Sequence, residues 1–107
     1  MSEAKVLVVY VTCPQDKAAA LAETLVQEKL VACVNIVPQV TSVYSWQGEV
    51  VKDEESLLVM KTSTDFYARL EARVKALHSY EVPEVLALPV EKGSKEYIGW
   101  LLGSLEK

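Results

Sequence analysis

Histidine occurs once in this 107-residue sequence, as His78, and cysteine twice, as Cys13 and Cys33. Two thiols do not make a disulfide framework in a chain of this size. A single imidazole without clustered ligands gives no metal-binding spacing on its own. No apolar run approaches the roughly 20 residues that span a bilayer. No nucleophile triad, Walker loop, dinucleotide fingerprint or paired-cysteine motif is present, which argues against an enzyme. Basic residues are outnumbered, 11 to 15, for a formal net charge of −4. That balance disfavours nucleic acid and anionic membrane as partners.

What is present is apolar and patterned. Half of the chain is hydrophobic, enough for a core at this length, and residues 1–107 read as one domain. The N-terminal stretch is too short for a signal-peptide core, so a cytoplasmic protein is expected. Val6 to Thr12 is a β-branched run that stops at Cys13-Pro14, which predicts a buried central strand. Ala18, Leu21, Ala22, Leu25 and Val26 recur at helical steps and predict a helix over 16–30. Val31 to Val37 reads as a second strand. Beyond Pro38, period-2 alternation carries it on through Val40, Ser42, Tyr44 and Trp46. Gln47-Gly48 predicts a hairpin turn. Val50 to Thr62 returns as a third strand, with a bend or bulge expected over Lys52–Glu55. Phe66, Leu70, Val74 and Leu77 mark a second helix over 65–78, capped from Ser63, Thr64 or Asp65. Val85 to Val90 is a fourth strand, placed at an edge by Pro89. Gly93-Ser94 then opens a last helix.

The order βαββαβ plus a terminal helix predicts an α/β (α+β) ferredoxin-like sandwich with an extended strand-two/strand-three hairpin. Each arm of that hairpin would run about 50 Å at roughly 3.3 Å per residue, bending near Pro38 and Asp53. Val40, Val43, Tyr44 and Trp46 on its overhang would be exposed in a lone chain, and pairing with a neighbouring subunit would cover them.

Six segments carry a family likeness: Val11-Thr12-Cys13-Pro14; Leu30 to Ile36; Pro38 with Thr41 to Trp46 and Gly48; Lys61-Thr62; His78 to Glu84; and Tyr97 to Leu101. In this order the chain resembles the CutA family of divalent-cation tolerance proteins over nearly its whole length. The resemblance implies a fold like that of PII signalling proteins, a homotrimer built on the hairpins, and a role in tolerance of divalent metals, chiefly copper. Family members associated with copper combine a Cys near the end of strand one with two adjacent histidines. Here Leu77 precedes His78 and Val11 stands at the aligned thiol position.

His78 and Cys13 are therefore the candidate metal ligands, for copper or another divalent cation, with no cofactor required. Cys13, beside the start of the first helix, is the expected reactive thiol. Cys33 is expected to be structural, and no disulfide should join it to Cys13, because the two lie at opposite ends of parallel strands. Lys61, Tyr80, Glu84 and Trp100 are candidates to line a cleft between subunits, where a PII-like sensor would take a small molecule or a partner protein. A purely structural trimer is the third reading.

Overall fold

The computed structural model describes residues 5–105. Strand β1 (Val6–Cys13) alternates as its sequence requires, with Leu7, Val9, Val11 and Cys13 buried and Val8, Tyr10 and Thr12 turned to the other face. After Pro14 a single 3₁₀ turn leads into α1 (Ala18–Gln27), which ends where Lys29 takes a positive φ of 62°. There follow β2 (Cys33–Trp46), β3 (Glu49–Ser63), α2 (Tyr67–Leu77), β4 (Leu86–Pro89) and α3 (Lys95–Gly103). The strands form one antiparallel sheet in the order β2-β3-β1-β4. This is the expected split arrangement: β3 lies between β1 and β2, and β4 is at the edge.

One face of the sheet is covered. Leu21 and Leu25 of α1 and Leu70 and Val74 of α2 pack on Val9, Val11, Leu58 and Met60. A smaller cluster forms where Leu101 and Leu105 meet Val6. Val26 and Leu77, expected in the helix stripes, are largely exposed at their margins. Helix α2 is capped differently from expectation. Its N-cap is Phe66 with no side-chain bond, and the Thr64 hydroxyl instead accepts from the Lys5 amide. Helix α3 is capped as expected, Ser94 accepting from the Tyr97 amide at 3.1 Å.

The hairpin is as long as its pattern demands. Fourteen residues in β2 and fifteen in β3 set the 47 Å long axis of the molecule. Trp46 pairs with Glu49 across Gln47-Gly48, both at positive φ (51° and 82°), as a type I′ turn requires. The irregularity is not over Lys52–Glu55. That segment pairs without interruption with Val40–Val43, and the register shift lies next to it, where Pro38 and Gln39 of β2 face Ser56 between the Val37–Leu57 and Val40–Glu55 pairs. Pro38 has no amide hydrogen for the ladder, and Gln39 takes a φ of 59°. The Gln39 amide, turned out of register, donates to Gln15 Oε1 at 2.8 Å. A charged run can remain in strand here because this part of the hairpin lies beyond the end of β1.

The second face of the sheet is open. Val8, Tyr10, Leu57, Val59, Leu86 and Leu88 share it by alternation and register. Leu86 and Leu88 are 59% and 47% exposed.

Candidate functional site

The chemistry-bearing side chains gather in two places. The first is the C-terminal end of β1, where residues 78–84 wrap round the strand. His78 closes α2, its amide donating to the Val74 carbonyl at 2.8 Å. Its Nε2 lies 2.7 Å from the Thr12 carbonyl, and its Nδ1 accepts from the Tyr80 amide at 3.1 Å. Those partners fix a neutral tautomer: a carbonyl takes a proton from Nε2, and an amide N–H needs a lone pair on Nδ1. Both nitrogens are engaged. The Tyr80 ring leans on the imidazole at 4.6 Å between centroids. Its hydroxyl donates to Glu55 Oε2 at 2.7 Å, and the Thr12 hydroxyl donates to Glu84 Oε1 at 3.5 Å.

Glu55 is only 6% exposed. Burial, and then its bond to this carboxylate, push the Tyr80 phenol well above the usual tyrosine range. Tyr44 donates to Asp53 two rungs away on the same hairpin, and that bond likewise raises its phenol. The charged run Lys52–Glu55 reads in the sequence as a solvated bend, yet Glu55 is buried, by a tyrosine from a loop 25 residues further on.

Cys13 stands behind this loop, on the helix-covered face, and is 1% exposed. With His78, Lys17, Thr24 and Ser79 it lines a cavity of about 170 Å³. The expected activation by a helix N-terminus is not what the environment does. Burial raises the thiol's pKa, and the Glu55 and Asp16 carboxylates raise it further. Both cysteines are free. Cys13 pairs with Ser56 and Cys33 with Lys61, five residues apart along β3, or about 17 Å.

The second place is on the open face near the start of β2. Lys61 donates to Asn35 Oδ1 and lies 3.7 Å from Cys33 Sγ. Tyr97, whose phenol is raised by burial and then by Cys33, connects this group to Trp100, its ring 5.5 Å away. The four expected cleft residues thus divide within one chain, Tyr80 and Glu84 at one end of β1, Lys61 and Trp100 at the other. Of the expected interface residues, Val40 is half-buried and Val43, Tyr44 and Trp46 are exposed.

Could one chain hold a metal here? Among the described residues, no three of His, Cys, Asp and Glu are grouped closely enough to do so. Cys13 and His78 share a cavity wall, but the thiol is protonated by burial and the imidazole is saturated. The residues of one chain do not fit a resident metal centre. Nor is any helix among the described residues long and apolar enough to cross a membrane.

A four-stranded antiparallel sheet with two crossover helices on one face and a terminal helix defines a ferredoxin-like α+β protein. The family described as CutA1 divalent ion tolerance protein matches residues 7–104, and the chain belongs to that family. It is 55% identical over 95 residues to the divalent-cation tolerance protein CutA of Thermus thermophilus, covering 88% of this chain and 92% of that one. It is 52% identical over 99 residues to the chloroplastic protein CutA of Arabidopsis thaliana, covering 92% of this chain but 54% of that longer one. The crystal structure of CutA1 from Oryza sativa superposes with a TM-score of 0.94 at 46% identity, covering 96% of this chain and 95% of that one.

Proposed function

We propose that this chain assembles into a homotrimer that serves tolerance of divalent metals, copper foremost, in the cytoplasm, by binding rather than by catalysis. The open apolar face is the observation that carries the reading. Val8, Tyr10, Leu57, Val59, Leu86 and Leu88 form a contiguous apolar surface that a lone soluble chain rarely leaves to water. The sheet also ends in two unpaired edges, β2 and β4. Pairing the β2 edge of one protomer with the β4 edge of the next is a heterologous contact that can close a ring, and three-fold closure is what the family likeness implies. Two free thiols suit a reducing compartment.

Within this reading metal is cargo rather than a resident ion. Cys13 and His78 are the nearest soft donors to one another, and either would have to give up its present state to bind. Light scattering run together with elemental analysis, after copper loading and desalting, tests the proposal. A trimer that retains copper, and loses it in His78→Ala or Cys13→Ser, supports it. A monomer sinks the assembly, and a trimer without metal sinks direct binding.

A second reading, a sensor that takes a small molecule or partner protein between subunits, is favoured by one observation. Lys61, Asn35 and Cys33 form a hydrogen-bonded polar island in the otherwise apolar open face. Head-to-tail assembly offers a way to bring the Lys61–Trp100 group of one protomer towards the Tyr80–Glu84 group of the next. A ligand that prefers the native state would raise the melting temperature, and Lys61→Ala would abolish that shift.

A further inference from the structure

Cys33 and Lys61 are direct partners on the β2–β3 ladder. Partners opposite one another on a sheet place their Cβ atoms about 5 Å apart on one face. The rung is fixed by its backbone, with the Ala32 amide donating to the Lys61 carbonyl at 2.8 Å and the Thr62 hydroxyl donating to the Leu30 carbonyl at 2.7 Å. The side chains meet as well, Lys61 Nζ lying 3.7 Å from Cys33 Sγ. Cys33 is half-buried, whereas Cys13 is sealed under the helices. A peroxide is small enough to reach a half-buried sulfur.

We propose that Cys33 and Lys61 form a reversible peroxide-driven cross-link, a sulfenamide joining β2 to β3. The inference does not rest on the metal reading; it takes the Cys33–Lys61 rung, which stands on the face the proposed assembly covers, to stay open to peroxide between subunits. In the first step the Cys33 sulfur attacks one peroxide oxygen, the O–O bond breaks, the sulfur becomes a sulfenic acid, and the second oxygen takes up the proton the thiol gave up and leaves as water. Sulfur is oxidised by two electrons and the peroxide is reduced by two. In the second step the Lys61 amine attacks the sulfenyl sulfur. An S–N bond forms, the S–O bond breaks, and the hydroxyl leaves as water with a proton from the nitrogen. Lysine nitrogen here takes the part that a backbone nitrogen or second thiol takes in other sulfenic acid condensations. Because the two residues already face one another, only the lysine side chain has to move. The cross-link removes the charge of Lys61 from the open face and ties the hairpin together at its base.

The test is intact-mass and peptide mapping of the protein as purified, treated with hydrogen peroxide and kept non-reducing. The expected product weighs about 2 Da less than the reduced chain, yields one peptide pair joined through Cys33 and Lys61, and reverts with dithiothreitol. The same loss is expected in Cys13→Ser, which cannot form an intrachain disulfide. Lys61→Arg should lose the product and go on to sulfinic acid, a gain of about 32 Da. The proposal is overturned if wild type gains oxygen at Cys33 without a joined peptide, if Lys61→Arg still loses about 2 Da, or if the joined peptide retains an oxygen and gains about 14 Da.

Discussion

Tyr80 donates its phenolic hydrogen to Glu55 across 2.7 Å, and in doing so a loop residue partners a carboxylate buried at the end of the sheet. A buried carboxylate left without its donor costs about 1–3 kcal/mol. Tyr80→Phe keeps the ring against His78 and removes only that donor. The variant should lose stability of this order in urea unfolding. An unchanged midpoint would mean that water replaces the phenol.

The same pair fixes a pH response. The folded-state pKa of Tyr80 is raised, so the unfolded phenol ionises first as the medium becomes alkaline. The contribution is complete below about pH 10, the ordinary tyrosine value, and is lost as pH rises towards the folded value. Wild type should therefore lose stability more steeply than Tyr80→Phe above that point. Parallel alkaline titrations of the two would contradict it.

Arg73 clasps Glu28 with two bonds, Nε to Oε1 at 2.8 Å and Nη2 to Oε2 at 2.7 Å, tying α2 to the end of α1. The arginine's bond lowers the Glu28 pKa. Stability from this pair is present above the ordinary glutamate value and falls as acid drives the pH through the folded value. Arg73→Ala should flatten the acid limb of the stability curve, and salt should narrow the difference because the pair is exposed. Equal acid limbs in the two proteins would remove the pair from the account.

Gln39 occupies the left-handed region at the bulge. A β-branched side chain is poorly tolerated there, at a cost of about 1–2 kcal/mol. Gln39→Val should destabilise by that amount and Gln39→Gly should be neutral or better, since the amide that bonds Gln15 is retained. Thermal melts of the two decide it; the reverse order would place the bulge elsewhere.

Alkylation at neutral pH should label Cys33 and spare Cys13 in the folded protein, both being labelled in denaturant. Burial and two nearby carboxylates keep the Cys13 thiol protonated. Labelling of Cys13 at the rate of Cys33 would show that the cavity wall opens.

Much of this architecture could be read from residue spacing. The β1 run, the stripes of α1 and α2, the Gln47-Gly48 turn and the Ser94 cap each declare themselves through local rules. The β order follows from the handedness of crossovers. What escaped depended on contacts between distant segments. Lys52–Glu55 reads as a break because charge is rare in strands, yet on an overhang both faces meet solvent or tyrosine. Cys13 reads as activated because sequence shows the adjoining helix and not the lid of Leu21 and His78 above it. His78 reads as available because nothing local reveals that Thr12 and Tyr80 take both of its nitrogens.

The strand order also bears on how the chain reaches its fold. β1 lies at the centre, between β3 and β4, yet it is the first strand in the chain. Val6 finds Ser63 and Cys13 finds Ser56, partners some forty to sixty positions downstream, while the β2–β3 ladder closes from a two-residue turn. Loop-closure entropy favours the hairpin as the early event and makes insertion of β1 the late, slow one. During synthesis the most apolar segment of the protein must therefore wait, unpaired, until more than half of the chain has left the ribosome.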